Sequence, residues 1–313
     1  MTDIPRFRIG RTSIEVASLG VGTWAWGDRL VWGFGRGYGE EDVQEAYRAS
    51  RAAGLDFFDT AEIYGRGLSE RILGRALRAE GGDIFIATKF FPYPWRPYRG
   101  ALLPALRASL RRLGIPRVDL YQTHWAFPPV SIEAWMNSMA DAVELGLTRA
   151  VGVSNYSRQQ MERAHAVLAR RGVPLASNQV EYSLLERSPE RSGLLQACRD
   201  LEVTLIAYSP LGMGLLTGKY GPGRPPPLTR RRSTFRLLGR LEPVLDMLRQ
   251  VGQEQGGKTP AQVALNWTMA KGTLPIPGAK NARQAVENAG SLGWRLTPDQ
   301  VARLDAASDA LHP

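Results

Sequence analysis

Short apolar segments alternate with amphipathic helical patterns along most of this chain. Continuous apolar runs of this length, bounded by polar residues and glycines, are typical of strands that are buried on both faces of a sheet. The segments between them repeat apolar residues every three to four positions, which predicts helices. The pattern predicts eight strands, at residues 18–22, 55–59, 83–89, 118–124, 150–154, 177–181, 204–208 and 273–276.

The alternation of strand and helix favours a parallel sheet, and eight repeats in 313 residues favour closure into an α/β (β/α)8 TIM barrel. An open doubly wound sheet is the competing architecture, but it normally carries Gly-x-Gly-x-x-Gly after an early strand. No window fits that spacing, and the glycine-rich residues 33–39 are interpreted as a flexible loop over the barrel mouth. A single domain over 1–313 is therefore expected.

Additional elements are predicted at both ends of the barrel. Residues 6–18 indicate an N-terminal β-hairpin with Gly10 at its turn. Extra C-terminal helices are expected at 242–255 and after Thr297. Helix starts are indicated by a capping residue followed by a glutamine three positions later, or by a lone capping serine. These predicted caps are Ser157, Thr259, Thr297 and, for the helix over 70–78, Ser69.

The composition argues against several classes of protein. The single cysteine, Cys198, permits no internal disulfide, and neither a signal peptide nor a membrane span is apparent, so a cytoplasmic protein is expected. The net charge of +10 is spread over nearly every predicted helix, with one dense run at 230–232. That distribution favours attraction of phosphorylated ligands over a dedicated nucleic-acid function. Lysine occurs only at positions 89, 219, 258, 271 and 280.

Polar side chains stand where the predicted strands end. In a barrel these carboxyl ends share one mouth, so Asp59, Lys89 and His124 are expected to meet there, with Tyr64 on the loop after Asp59. Taken singly, Asp59 could cap the next segment, Tyr64 could be a half-buried aromatic and His124 could be structural. Together they suit proton transfer to a carbonyl oxygen, because an ammonium beside a phenol lowers the pKa of the phenol. We expect Asp59 to keep Lys89 charged, and His124 to orient a substrate oxygen.

Several segments combine into a more specific pattern. They are GTW at 22–24, DTAEIYG at 59–65, ATKF at 87–90, TH at 123–124, GVSNY at 152–156, NQVEY at 178–182, YSPLGMGLLTGKY at 208–220 and PIPGAKNARQAVEN at 275–288. With them the chain resembles the aldo-keto reductases from about Leu19 to Asn288. The resemblance implies an NAD(P)H-dependent oxidoreductase that reduces an aldehyde or ketone with NADPH. It also implies a catalytic tetrad with Tyr64 as general acid, formed by Asp59, Tyr64, Lys89 and His124.

The resemblance also implies a set of cofactor contacts. They comprise amide and hydroxyl groups for the nicotinamide, an aromatic ring that stacks on it, backbone at the pyrophosphate and an adenine-side group. The implied residues are Gly22, Thr23, Trp24, Ser154, Asn155, Gln179, Tyr208, Ser209, Leu211, Gly212, Gly278, Lys280, Arg283, Gln284, Glu287 and Asn288.

The residues expected at the 2′-phosphate of the cofactor depart from the common family pattern. Gly278 and Ala279 stand where many members have Lys-Ser, and Gln284 stands where many have Arg. Lys280 and Arg283 flank a predicted helix start and would add charge for a 2′-phosphate. NADPH is therefore expected, with NADH open, and Gln284 fits a capping partner of Asn281 as well as a ligand contact.

Aromatic residues follow several strand ends and predict either the wall of an apolar substrate pocket or loop packing under a lid. The pocket candidates are Trp24, Trp26, Trp32, Phe90, Trp95 and Trp125. The residues 92–96 also resemble a branch found in cyanobacteria and plastids, some of whose members reduce pyridoxal. The expected partner is a small carbonyl compound, with no nucleic acid, metal or membrane, for a monomer or weak oligomer. A regulatory nucleotide-binding module similar to potassium-channel β-subunits is the alternative.

Overall fold

A computed structural model describes residues 4–221, 223–227 and 239–311 of the chain. Eight parallel strands are hydrogen-bonded to one another in the order in which they occur along the sequence. They are β3 (Val21–Gly22), β4 (Phe57–Asp59), β5 (Phe85–Phe90), β6 (Val118–Thr123), β7 (Thr148–Ser154), β8 (Leu175–Glu181), β9 (Thr204–Tyr208) and β10 (Leu274–Pro275).

The first and last strands of this sheet meet and close it. Gly20 N donates to Pro275 O (2.9 Å), and Gly22 N donates to Pro277 O (3.0 Å). A Cβ atom on Gly22 would lie 2.8 Å from Ile276 O, so this close approach of two backbones requires glycine. The predicted (β/α)8 barrel is confirmed.

Side chains along the strands alternate between two cores. One core lies inside the barrel, and the other lies between the strands and the surrounding helices. Phe57 faces the interior and Phe58 faces the helices, so the next residue, Asp59, returns to the interior. The same alternation applies to Ala87 and Lys89. Alternation thus places both charged residues in the interior, at the carboxyl ends of β4 and β5.

The predicted N-terminal hairpin is confirmed and closes the amino-terminal end of the barrel. It consists of β1 (Arg6–Arg8) and β2 (Glu15–Ala17), which pair antiparallel with Phe7 opposite Val16. Ile9, Ile14 and Val16 belong to the interior core of the barrel. Gly10 adopts a φ of 53° at the turn, a conformation that favours glycine.

Helices surround the barrel, and the described part of the chain also contains three short 3-10 segments, at Tyr64–Gly67, Arg99–Ala101 and Gly212–Thr217. The helices are α1 (Glu40–Ala52), α2 (Leu68–Glu80), α3 (Leu102–Leu113), α4 (Ile132–Glu144), α5 (Arg158–Ala169), α6 (Ser188–Arg191), α7 (Leu194–Asp200), α8 (Glu242–Glu254), α9 (Pro260–Ala270), α10 (Ala282–Ala289) and α11 (Pro298–Asp309). The extra helices α8 and α11 agree with the sequence prediction. None of the helices in these ranges is long and apolar enough to cross a membrane.

Three of the four predicted helix caps are confirmed. Ser157, Thr259 and Thr297 each accept a hydrogen bond from the backbone N–H three residues later, in a reciprocal capping box. The prediction for Ser69 is wrong, because Gly67 is the N-cap of α2 and Ser69 lies inside the helix. Its buried hydroxyl instead bonds to Thr23 and Thr60 beneath the barrel mouth.

Candidate active site

Four side chains named from the sequence lie together at the carboxyl ends of three neighbouring strands. Asp59 ends β4, Lys89 lies near the end of β5, and His124 follows β6. Tyr64 begins the 3-10 segment after β4. We refer to these four residues as the strand-end cluster. Its two charged members are almost fully removed from solvent, with Asp59 1% and Lys89 0% exposed.

Lys89 is the centre of the strand-end cluster. Its Nζ donates to Asp59 Oδ1 (2.5 Å), to Thr60 O (3.0 Å) and to Tyr64 Oη (3.3 Å). The three donor positions of an ammonium are thereby used, and one of them is directed at the phenol. A buried ammonium requires such compensation, since an unpaired charge in the interior is strongly destabilising.

Two buried amides hold the second oxygen of Asp59. Gln179 Nε2 donates to Asp59 Oδ2 (2.8 Å), and Gln122 Nε2 donates to the same atom (3.3 Å). The carboxylate is therefore bound on both oxygens, and its orientation toward Lys89 is set from β6 and β8 as well as from its own strand. Gln122 was missed by sequence reasoning, although its position two residues before His124 in β6 places it on the interior face.

The electrostatics of the phenol differ from the sequence expectation. Desolvation raises the pKa of Tyr64 well above its usual range, and the nearby Asp59 carboxylate raises it further. Desolvation lowers the pKa of Lys89, against the opposing effect of Asp59. The expected lowering of the Tyr64 pKa by Lys89 is therefore wrong, because burial of the phenol and then the nearby Asp59 carboxylate both favour its protonated form. The phenol is protonated at neutral pH, which is the state required of a proton donor.

His124 is held as a neutral imidazole. Desolvation lowers its pKa well below the usual value, and the Lys89 charge acts in the same direction. Its ring meets the Tyr64 ring edge-on, with centroids 5.9 Å apart. Its backbone is fixed, since His124 N donates to Phe90 O and Asn155 Nδ2 donates to His124 O. The buried Nδ1 has no hydrogen-bond partner among the described residues, so the ring retains a free polar atom.

The strand-end cluster opens into a cavity of about 620 Å³ at the barrel mouth. Asp59, Tyr64 and His124 lie at one end, and Trp24, Trp32 and Trp125 are also in its lining. This volume is within the range of small-molecule and cofactor sites. The rest of the lining comes from the loops after β7, β8 and β9 and from the segment that leads into α10.

Three cations also line this cavity, and we refer to Lys219, Lys280 and Arg283 as the cationic end. Lys219 and Arg283 are exposed and have no acidic partner within residues 4–221, 223–227 and 239–311. Lys280 instead donates from Nζ to Trp32 O (2.9 Å). Gln284 lines the cavity, and its Oε1 accepts from Lys280 N (2.9 Å). Its backbone N–H donates to the Asn281 cap, but its side chain does not complete a capping box there.

One aromatic ring of the cavity lining is held in place by a hydrogen bond. Tyr208 Oη donates to Asn155 Oδ1 (3.0 Å), so the ring at the end of β9 is held from β7. The surrounding backbone is strained, since Asn155 and Ser209 adopt φ values of 59° and 50°. Conformations of this kind cost about 1–3 kcal/mol each and cluster at functional sites.

The cavity brings together most of the cofactor residues implied by the sequence. It is lined by Gly22, Trp24, Asn155, Gln179, Tyr208, Ser209, Leu211, Gly278, Lys280, Arg283, Gln284, Glu287 and Asn288. Thr23 and Ser154 are instead buried behind it, with Ser154 Oγ donating to Gln179 O (2.8 Å). Gly212 is also outside the lining and packs toward Leu185.

Three of the predicted pocket aromatics are corrected. Trp26 is fully buried and donates from Nε1 to Ala279 O, away from the cavity. Phe90 is fully buried and packs against Trp135 in the outer core. Trp95 is 70% exposed and stacks on Tyr93. Trp24, Trp32 and Trp125 do line the cavity, so the structure brings half of this predicted wall together.

Sequence reasoning missed part of the lining. Met213, Gly214, Thr217, Lys219 and Tyr220 lie in the segment 208–220 but were not among the predicted cofactor contacts. The scarcity of lysine was a usable signal for Lys219. The arginine run at 230–232 lies outside the described residues. Within the part of the chain that is described, no group of three or more His, Cys, Asp or Glu residues could hold a metal ion.

The chain is similar in sequence to known proteins. The sequence model of the Aldo/keto reductase family matches residues 18–309. A chloroplastic pyridoxal reductase of Arabidopsis thaliana is 41% identical over 94% of this chain and 84% of its own length. A Schizosaccharomyces pombe aldo-keto reductase whose name specifies NADP(+) is 34% identical, over 86% of this chain and 83% of its own length.

Two further comparisons bear on the fold and on the regulatory alternative. A putative voltage-gated potassium channel subunit beta of S. pombe is 32% identical over 97% of this chain and 93% of its own length. The crystal structure of a thermostable aldo-keto reductase with the inhibitor epalrestat is 31% identical, with a TM-score of 0.78. The likeness covers 97% of this chain and all of that one.

Proposed function

Because this chain belongs to the aldo/keto reductase family and is an oxidoreductase, we propose that it reduces an aldehyde or ketone to an alcohol with NADPH. One observation carries the proposal. The Tyr64 phenol lies 3.3 Å from a buried lysine that is paired with Asp59, at the floor of a cavity large enough for a cofactor.

Tyr64 acts as the general acid. Its raised pKa keeps the proton on Oη until a carbonyl oxygen accepts it. As the proton leaves, negative charge develops on the phenol beside the Lys89 ammonium, where a charge-assisted hydrogen bond is already formed. Asp59 keeps that ammonium charged despite its burial. General acid catalysis of this kind contributes about 10²–10⁴-fold.

His124 positions the carbonyl group. Its neutral ring lies next to Tyr64, so both side chains face the same part of the cavity. A neutral imidazole can hydrogen-bond the substrate oxygen without competing for the proton, whereas an imidazolium would act as a second acid. The tryptophans around it exclude water from the reacting groups.

The residues of the cavity fit a nicotinamide dinucleotide. When bound, this cofactor supplies the hydride. Asn155 and Gln179 would hold the nicotinamide amide, and the fixed Tyr208 ring would form its stacking surface. The backbone at Ser209 and Leu211, with Lys219, would meet the pyrophosphate. Glu287 and Asn288 would lie at the adenine side.

The cationic end supports NADPH over NADH. Lys219 and Arg283 favour the additional phosphate, because no acidic side chain among the described residues offsets their attraction for an anion. The start of α10 adds free backbone N–H groups, whose dipoles favour an anion. The relative named for NADP(+) is consistent with this preference.

The substrate is proposed to be a small planar aromatic aldehyde. Trp24 lies against Tyr64, with ring centroids 6.1 Å apart, and Trp125 stacks on Phe127. Flat rings in the cavity lining, one of them stacked on the reacting phenol, favour a flat substrate. The relative named as a pyridoxal reductase makes pyridoxal the first compound to test.

A regulatory nucleotide-binding role is the second candidate, because one relative is named as a potassium channel subunit beta. Both candidates require NADPH binding, and only the first requires turnover. The complete strand-end cluster favours turnover. We further propose that residues 1–313 act as one domain, as a monomer or weak oligomer in the cytoplasm.

A carbonyl panel with a Tyr64→Phe control tests the proposal. Absorbance of NADPH and NADH is followed with pyridoxal, benzaldehydes and aliphatic aldehydes. Tyr64→Phe should lower kcat by about 10²–10⁴-fold while the Kd for NADPH stays near wild type, since only the hydroxyl is removed. Full activity in this variant would exclude Tyr64 as the acid. NADPH binding without oxidation by any aldehyde would favour the regulatory role.

A further inference from the structure

The loop after the first barrel strand is fastened to the segment after the last one. The indole Nε1 of Trp26 donates to Ala279 O (2.8 Å), and Lys280 Nζ donates to Trp32 O (2.9 Å). The Lys280 ammonium also lies 4.4 Å from the centroid of the Tyr38 ring. Two neighbouring residues of one segment thus hold three aromatic residues of the loop over 24–38.

That loop carries the aromatic wall beside the proposed acid. Trp24 stacks on Tyr64, and Trp32 packs edge-on against Trp24 with centroids 5.5 Å apart. Asp28 stabilises the same arrangement, because its carboxylate accepts from Trp24 Nε1 and from the backbone N–H of Trp32. Trp32 and Asp28 therefore both support the Trp24 ring that stacks on the phenol.

The cations of the cationic end have different environments. Lys280 is engaged with the loop through a backbone carbonyl and two aromatic rings, those of Trp32 and Tyr38. Arg283 is exposed in the first turn of α10 and has no acidic partner among the residues described. A ligand phosphate can pair with Arg283 without breaking any described contact, whereas pairing with Lys280 would compete with its bonds to the loop.

We propose that Lys280 is a positioning residue that holds the loop over 24–38 against the barrel mouth, and that Arg283 is the cation that takes a 2′-phosphate. The first assignment stands on the contacts of the protein itself. Its effect on carbonyl selectivity, and the role of Arg283, rest on the proposed function. Lys280 would then act on the substrate through Trp32 and Trp24.

Hydrogen exchange of the ligand-free protein tests directly whether Lys280 holds the loop over 24–38, without reference to catalysis. In Lys280→Met, amides of residues 28–38 should exchange about tenfold faster, the fold-change expected from losing a charged hydrogen bond and a cation–π contact. Lys280→Arg should restore much of the protection, because it keeps the charge and a donor. Arg283→Met should leave the loop at wild-type rates. Unchanged exchange of the loop in Lys280→Met would overturn the proposal.

Measurements of cofactor affinity distinguish the proposed roles of Lys280 and Arg283. Arg283→Met should raise the Kd for NADPH about tenfold and change the Kd for NADH little, as expected for loss of one phosphate contact. Lys280→Met should change the two constants by the same small factor, while raising KM for an aromatic aldehyde more than it lowers kcat. A selective loss of NADPH affinity in Lys280→Met would assign the phosphate to Lys280 and overturn the inference. If no aldehyde is reduced, the proposed function fails, but the exchange result still shows whether Lys280 holds the loop over 24–38.

Discussion

The strand-end cluster and the cationic end lie in the same cavity but are held in different ways. In the cluster, Asp59 and Lys89 are buried, paired with each other and bonded to neighbouring strands. At the cationic end, Lys219 and Arg283 are exposed and come from a loop and a helix start. The first region is completed by the fold, whereas the second is arranged to be completed by a ligand.

Because of this difference, substitutions in the two regions should affect folding stability differently. A buried charge whose partner is removed destabilises the whole barrel, because its desolvation is no longer compensated. An exposed cation can be removed with little effect on folding, and its loss is felt only when an anion binds. Substitutions in the strand-end cluster should therefore lower the free energy of unfolding, whereas substitutions in the cationic end should not, even where both lower activity.

Lys89→Met should have the largest effect. It leaves Asp59 buried without its cation, which should cost about 3–5 kcal/mol of the free energy of unfolding and reduce kcat by at least about 10²-fold. Urea denaturation and steady-state kinetics measure the two effects. The double variant Asp59→Asn/Lys89→Met should recover part of the stability and none of the activity. Wild-type stability in the single variant would show that the pair is not required for folding.

A pH dependence should follow from His124. Its pKa is lowered in the folded state, so the unfolded chain binds the extra proton first and stability falls as pH drops below about 6.5. Between pH 7 and pH 5 the free energy of unfolding of the wild type should therefore fall through this group. His124→Gln should lack that component, which urea titrations at several pH values measure. Parallel losses in both proteins would assign the acid sensitivity to other groups.

Removal of two exposed cations should have a smaller effect, confined to binding. Lys219→Met/Arg283→Met should weaken NADPH by about tenfold or more, and the difference from wild type should shrink as salt is raised. The free energy of unfolding should change by no more than about 0.5 kcal/mol. Fluorescence titration and urea denaturation check these two results. A destabilised double variant would contradict the contrast drawn between the regions.

Trp95→Ala should have the smallest effect. Trp95 is exposed and stacks on Tyr93 outside the cavity lining, so KM for an aromatic aldehyde should change less than about twofold. Trp125→Ala is the matched comparison, because that ring lines the cavity, and its KM should rise clearly more. Equal effects of the two substitutions on KM would return Trp95 to the pocket.

Periodicity explains which parts of the site could be predicted from the sequence. Asp59 and Lys89 lie on strands, where alternation determines the side of the sheet that each residue faces. Trp24 and Trp26 lie on a loop with no period, so their types did not reveal that only Trp24 faces the cavity. Ser69 had the residue type of a cap, but Gly67 supplied the left-handed turn at that position.

Electrostatic properties were harder to predict than positions. The sequence placed a lysine beside Tyr64, and the expected consequence was a lower pKa of the phenol. Burial of the phenol has the larger effect and favours its protonated form, and the Asp59 carboxylate beside Lys89 raises the pKa of Tyr64 further. Likewise, Lys280 was predicted for its charge, whereas its contacts with Trp32 depend on how two distant segments pack.

The bonds from Gly20 to Pro275 and from Gly22 to Pro277 join parts of the chain that are synthesised far apart in time. Asp59, Lys89 and His124 can leave the ribosome long before the partner of the first barrel strand exists. The seam can form only after residue 277 has emerged, and contacts of such high sequence separation form slowly. A nascent chain therefore carries the complete set of proton-transfer residues before it has an enclosed cavity in which to use them.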